Sequence, residues 1–260
     1  MLQLAHVVQT ALTLPAAALS DLQRKHYAVI PNFVPPALVS SLVKDVALLH
    51  EQKCFELAEV GEDDSAQIED SYRRCEHCYL YPDAAAALLD GHGDPAARQK
   101  LIATLDGVRE QLSVLKPIVA SRTEGLYVCY PNGGFYRRHR DAAPKGLGYS
   151  AEARAFSYLL YLNEGWQKEH GGCLRLFTGG VGGHEGLDGP DGQDVGHASS
   201  SFVDVEPRAG TLVVFRSDEI VHEVLDTFAR RLVVAGWWHS DTRGARLRRV
   251  LSRLRAAVSN

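Results

Sequence analysis

Apolar and polar positions change rhythm once along the chain, near residue 120. Before that point the spacing is helical. Residues 36–50 put Leu38, Leu42, Val43, Val46 and Leu49 on one face behind Pro35-Pro36, and 96–118 repeats the pattern with Leu101, Ile102, Leu105, Val108 and Leu112. Two covering helices are predicted. After that point, short runs rich in Tyr, Val, Phe and Leu follow one another at 126–130, 155–163, 173–177, 211–217, 219–225 and 231–239. Turn residues such as Pro131-Asn132-Gly133-Gly134 and Gly171-Gly172 bound them, which is the pattern of an antiparallel sandwich or barrel. The expected class is mainly β with flanking helices.

Two segments break the rhythm. Residues 55–95 are polar and acidic before turning Gly/Asp-rich at Asp90-Gly91-His92-Gly93-Asp94, and read as a long loop or lid. Residues 178–200 hold eight glycines and no apolar period, and read as an exposed insertion between strands. At the end, Leu247, Val250, Leu251, Leu254 and Val258 form the stripe of an amphipathic helix over 241–260.

Charge sharpens this picture. The formal net charge of -4 conceals a tail with six Arg against Asp241, a local +5, so the remaining residues carry -9. A body that acidic argues against nucleic acid as the main partner, and the tail arginines read as the solvated side of its helix. No run approaches the ~18 apolar residues of a membrane span, and the early Ala16-Ala17-Ala18-Leu19 lacks the basic lead of a signal peptide. A cytoplasmic protein without a membrane partner is expected. Its five cysteines (Cys54, Cys75, Cys78, Cys129, Cys173) are too few for a disulfide framework and read as reduced thiols.

The informative constellation is His139-Arg140-Asp141, then His222, then Arg231. Residues i and i+2 at a strand end point to one side, so an imidazole and a carboxylate can meet one ion. With His222 they make the two-His, one-carboxylate set of non-haem Fe(II) oxygenases. Taken alone, H-x-D is also a common surface pair. Arg231 suits a dicarboxylate, because a guanidinium fork matches a carboxylate bidentately. Arg230 competes with it, but strand alternation admits only one of the two to the interior.

The stretch Tyr127-Val128-Cys129-Tyr130-Pro131-Asn132-Gly133-Gly134-Phe135-Tyr136-Arg137-Arg138-His139-Arg140-Asp141 resembles the start of the catalytic core of 2-oxoglutarate-dependent prolyl 4-hydroxylases. The resemblance continues through Tyr161-Leu162-Asn163, 171–177, 205–215, His222-Glu223-Val224, Arg231 and Trp237-Trp238, with Tyr27–Phe33 as an opening strand. It covers about residues 22–240, leaving 1–21 as an N-terminal extension, and is nearest to the hypoxia-sensing prolyl hydroxylases and their bacterial relatives, which carry Arg at the position of Arg231. It implies a double-stranded β-helix, or jelly roll, of about eight strands over roughly 120–240.

The same resemblance implies that His139, Asp141 and His222 hold Fe(II) and that Arg231, with Tyr161, takes the distal carboxylate of 2-oxoglutarate. Tyr130 would lie near the metal end of that cosubstrate, with Val224, Leu174 and Trp237 as apolar walls. Each of these also reads as ordinary barrel packing. O2 is the second cosubstrate, ascorbate a candidate accessory reductant, and succinate and CO2 the coproducts. The implied reaction hydroxylates a prolyl residue of a protein or peptide; the alternatives are another residue, a small molecule, or a binding module without turnover. Arg154 aligns with a substrate-side arginine, and Tyr79 and Tyr81 in the 55–95 segment are the expected peptide contacts. A zinc site at Cys75-Glu76-His77-Cys78 with Cys54 is the rival metal reading, lacking a second paired motif. His184 and His197 read as solvated loop residues.

Overall fold

The computed structural model describes residues 12–59, 67–80, 91–142, 154–178 and 201–240, with backbone alone at 120–122. Among these residues three α-helices, α1 (Ala16–Lys25), α2 (Pro36–Glu51) and α3 (Pro95–Leu112), flank two sheets. The strands are β1 (Tyr27–Ile30), β2 (Glu56–Leu57), β3 (Arg73–Arg74), β4 (Glu76–Tyr79), β5 (Ile118–Tyr130) and β6 (Phe135–His139), then β7 (Arg154–Tyr161), β8 (Leu174–Phe177), β9 (Phe202–Val205), β10 (Leu212–Arg216), β11 (Val221–Val224) and β12 (Arg231–Ser240). A major sheet runs β1-β10-β7-β12-β5-β4-β2 and a minor sheet β3-β6-β11-β8-β9. Their ladders are antiparallel, and β5 to β12 supply the eight strands of a jelly roll.

The major sheet is buried on both faces, which explains why its strands read as continuous apolar runs. On β7, Phe156, Tyr158 and Leu160 face the helices while Leu159 and Tyr161 face the minor sheet; on β10, Leu212 and Val214 go one way and Val213 and Phe215 the other. One core therefore lies between helices and major sheet, and a second between the sheets. The minor sheet is covered on one side, so β8 alternates buried Leu174 and Leu176 with half-buried Arg175 and Phe177.

The structure refines several expected elements. The helix expected within 96–118 spans Pro95–Leu112, and the chain then turns before entering β5 at Ile118. It starts where Asp94 caps it, accepting from the amides of Ala96 and Ala97. On α2 the fully buried stripe is Val39, Leu42, Val46 and Leu49, one position round from Leu38 and Val43, which are only partly buried. The division at residue 21 falls inside α1, whose Ala18 and Leu22 join Leu14 in the helix-side core. Within 55–95 the described residues are not all loop: β2 and β4 extend the major sheet beyond β5, and β3 adds an edge to the minor one. Glu and His on β4 concealed its alternation, in which Cys75, His77 and Tyr79 face one side and Glu76 and Cys78 the other. Residues 179–200, 241–260 and Tyr81 lie outside the described residues. Among the described helices none is long and apolar enough to cross a membrane.

Candidate active site

Antiparallel register makes the site. On the minor sheet His222 of β11 stands directly opposite His139, the last residue of β6, and the imidazoles lie 4.2 Å apart, centroid to centroid. Two residues beyond His139 the chain bends, and Asp141 reaches both rings. Its Oδ1 is 3.5 Å from His139 Nε2 and its Oδ2 3.6 Å from His222 Nε2. All three donor atoms fall within 4.8 Å of one another. Ligands on adjacent corners of an octahedron with ~2.1 Å bonds are separated by roughly 3 Å, so a small contraction suffices to hold one ion.

Hydrogen bonding sets the tautomers. His139 Nδ1 donates to the carbonyl of Arg137 at 2.8 Å, and His222 Nδ1 faces the carbonyl of Ile220 at 3.4 Å. Both Nε2 lone pairs are thereby turned toward Asp141. Burial, aided by the neighbouring His139, lowers the His222 pKa to about 4 and keeps that imidazole neutral at pH 7. Burial pushes the Asp141 carboxyl up, but the two imidazoles and the Ser157 hydroxyl outweigh it and leave Asp141 well below the usual carboxylate range. Ser157 Oγ donates to Asp141 Oδ2 at 2.6 Å and shares a 2.8 Å hydrogen bond with Ser217 Oγ. Tyr136 stacks on His139 with centroids 3.6 Å apart.

A cavity of ≈ 610 Å³ opens over this cluster. Tyr130, Leu174, Val224 and Trp237 line it, as do Tyr79 and Arg154 nearer the rim. Arg231 and Tyr161 are not lining residues; they sit fully within the inter-sheet core, in contact with Tyr130, whose ring centre is 4.8 Å from the Arg231 guanidinium. Arg231 Nε donates to the carbonyl of Gly172 at 2.8 Å. Its two terminal nitrogens and the Tyr161 hydroxyl, in contrast, are buried with no hydrogen-bond partner among the described residues. Burial drives the Tyr161 phenol up to about 12, against the pull of the Arg231 charge 5.2 Å from its ring, so the hydroxyl keeps its proton. A buried cation whose two terminal NH2 groups meet no acceptor, beside a phenol O–H that meets none, is incomplete without an anion, and a carboxylate completes it bidentately. Arg230 is exposed and donates instead to the Cys129 thiol.

Arg154 is more committed than a free substrate contact. Its Nε and Nη2 clamp Glu124 at 3.3 and 2.9 Å, Nη1 faces the Asp141 carbonyl at 3.4 Å, and the guanidinium lies 3.8 Å from the centre of the Trp237 ring. His239 closes the cluster on Glu124 Oε1 at 2.5 Å. Tyr79, on β4, is half exposed at the cavity rim. Cys75 and Cys78 face opposite sides of the sheet, one in each core, so the rival zinc set does not assemble. Sequence reasoning missed Ser157, Gly172, Glu124 and Tyr136. Only Ser157 carried a signal, as the one small polar residue within the aromatic and aliphatic run 155–162.

A jelly roll with a His/Asp/His cluster between its sheets and a buried cation deeper in defines a 2-oxoglutarate- and iron-dependent oxygenase. The family model for the 2OG-Fe(II) oxygenase superfamily matches residues 125–239. A prolyl-4-hydroxylase from Pseudomonas putida is 27% identical with a TM-score of 0.64, over 86% of this chain and 97% of that one. A Trichoplax adhaerens prolyl hydroxylase, solved with a hypoxia inducible factor peptide, has 19% identity and TM-score 0.65 over 88% and 90%. A carbocyclase from nogalamycin biosynthesis, SnoK, has 16% and 0.59 over 88% and 85%. Residues 125–239 thus carry the 2OG-Fe(II) oxygenase match within a prolyl 4-hydroxylase-like fold, and that family implies Fe(II), 2-oxoglutarate and O2.

Proposed function

We propose that this chain hydroxylates a prolyl residue in a protein or peptide, holding Fe(II) with His139, Asp141 and His222 and 2-oxoglutarate with Arg231 and Tyr161. The observation that carries the cosubstrate assignment is the buried Arg231 and Tyr161 donor set without an acceptor. Fe(II) held by His139, Asp141 and His222 would supply O2 activation coupled to the oxidative decarboxylation of 2-oxoglutarate to succinate and CO2. The chain's own part is positional. Carbonyls of residues 137 and 220 aim the imidazoles, Ser157 holds the Asp141 carboxylate, and Tyr130, Leu174 and Val224 separate the anchor from bulk water.

A peptide target is supported by the prolyl hydroxylase match and by the open rim at Tyr79 and Arg154; described parts of 55–95 border that rim, which fits the lid reading of this segment. The match to a carbocyclase favours a second reading, a small-molecule substrate on the same iron site. The five free cysteines fit a reducing, cytoplasmic setting. Succinate release should be measured with a panel of proline-containing peptides and with their alanine counterparts. Proline-dependent stimulation that disappears in Asp141→Ala is expected. Turnover indifferent to proline would transfer the assignment to the second reading, and full turnover in Asp141→Ala would remove the iron assignment.

A further inference from the structure

Behind the major sheet lies a second cluster of metal-binding groups, unrelated to the reaction. Val128 and Tyr130 of β5 face the cavity, so Cys129 between them faces the helices. Directly opposite on β4 stands Glu76. The end of α2 brings His50 over the pair, its ring fixed by stacking on Phe55 at 3.8 Å and an interplanar angle of 6°. The nitrogen, carboxylate oxygen and sulfur of these three side chains lie within 4.8 Å of one another.

The polar accounting is unfinished there. His50 Nε2 is buried and makes no hydrogen bond; the nearest Glu76 oxygen is 3.9 Å away, too far for one. The separation is near the ~3.4 Å edge of a tetrahedron with bonds of about 2.05 Å. A helix end, a strand and its neighbour thus present N, O and S donors to one point, with the His50 and Glu76 side chains open enough for water to complete four-coordination. The geometry points to a second, structural site for a borderline divalent cation of the zinc class, held by His50, Glu76 and Cys129. Sulfur and imidazole together exclude calcium and magnesium, which take oxygen ligands.

Among the described residues, one charged group besides the ligands bears directly on the site. Arg230 donates to Cys129 Sγ at 3.3 Å and opposes a cation, but it is exposed and free to swing into solvent as the metal replaces its N–H on sulfur. The site also requires the Cys129 proton to leave. Burial holds the thiol protonated, while burial and the Arg230 charge keep His50 neutral and ready to ligate. Binding therefore releases one proton and strengthens as pH rises.

Cobalt(II) titration of the reduced, metal-free full chain tests the site apart from the reaction. A thiolate-to-cobalt charge-transfer band in the near ultraviolet can arise only from a sulfur ligand, whereas the His139, Asp141 and His222 cluster offers none. The band is expected in the wild type and in H139A/D141A, absent in C129S, and shifted to at least about tenfold weaker binding in H50A, where one of three protein ligands is lost. Glu76→Gln, on the half-exposed side, gives an independent variant should C129S misfold, and it is expected to weaken binding similarly. A wild type saturated with cobalt that shows no band, or a band undiminished in C129S, H50A and E76Q, overturns the site. A band lost in H139A/D141A would place the sulfur ligation elsewhere and overturn it equally.

Discussion

Single side chains carry the sharpest consequences. If Arg231 anchors the distal carboxylate, Arg231→Ala removes charge-assisted hydrogen bonds worth about 1.5–3 kcal/mol, and the KM for 2-oxoglutarate should rise roughly ten- to hundredfold. Arg231→Lys keeps the charge without the fork and should fall between. Gly172 offers a test that leaves every proposed ligand in place. Its φ is +70°, and a Cβ there would lie 2.8 Å from Thr227 Cγ2 and 2.9 Å from Arg231 Cδ. Gly172→Ala should therefore displace the guanidinium, weakening 2-oxoglutarate binding by an order of magnitude or so while iron content stays at wild-type level; calorimetry and metal analysis read the two separately. Ser157→Ala should act on the other half of the site, lowering iron affinity about 10- to 100-fold by freeing the Asp141 carboxylate, with the KM for 2-oxoglutarate little changed.

At the scale of elements, two polar clamps, one buried and one at the rim, keep helices and strands in register. Asp45 of α2 is inaccessible to solvent, accepts from Arg98 of α3 at 2.6 Å and from the Tyr127 hydroxyl of β5 at 2.8 Å, and so ties three elements together. Asp45→Ala would strand a buried arginine, and urea unfolding should register a loss of about 3–5 kcal/mol. At the rim, Glu124 joins β5 to Arg154 of β7 and His239 of β12. Burial raises its pKa, but His239 and Arg154 more than compensate, so the folded value lies below the unfolded one. Its contribution is then present above the unfolded value of ~4.3 and lost as pH falls through the folded value. Thermal denaturation should show Glu124→Gln a few degrees below wild type near neutrality, a gap that closes on acidification below about pH 4. These clamps also mark how far the sequence could be read. His139, Asp141, His222 and Arg231 were legible because each ligand chemistry needs a particular residue type at a strand end, and the apolar runs announced the double-sided sheet. Glu124 and Gly172 were silent, since a partly exposed carboxylate and a turn glycine acquire meaning only from neighbours distant in the chain. The strand at 76–79 was missed for a related reason: two of its four residues are polar, His77 toward the wet cavity and Glu76 on the opposite face beside His50, so neither face reads as apolar.

For the molecule as a whole, rigid and variable parts divide the work. On the proposed reading the barrel fixes iron and cosubstrate chemistry, and described residues between 56 and 79 border the mouth. Exchanging 55–82 with the corresponding segment of a relative should change peptide preference while 2-oxoglutarate turnover without peptide stays within a fewfold; an unaltered preference would shift specificity to the rim around Arg154. The pairing of His222 with His139 has a further meaning in time. Two of the three candidate iron ligands are present as soon as residue 141 leaves the ribosome, yet the opposing imidazole arrives only with β11, and Arg231 later still. A nascent or truncated chain ending short of β11 offers an H-x-D pair with no partner, which cannot retain iron. Loading is therefore a late event that reports a closed barrel, and any ion requiring all three ligands stabilises only the finished molecule.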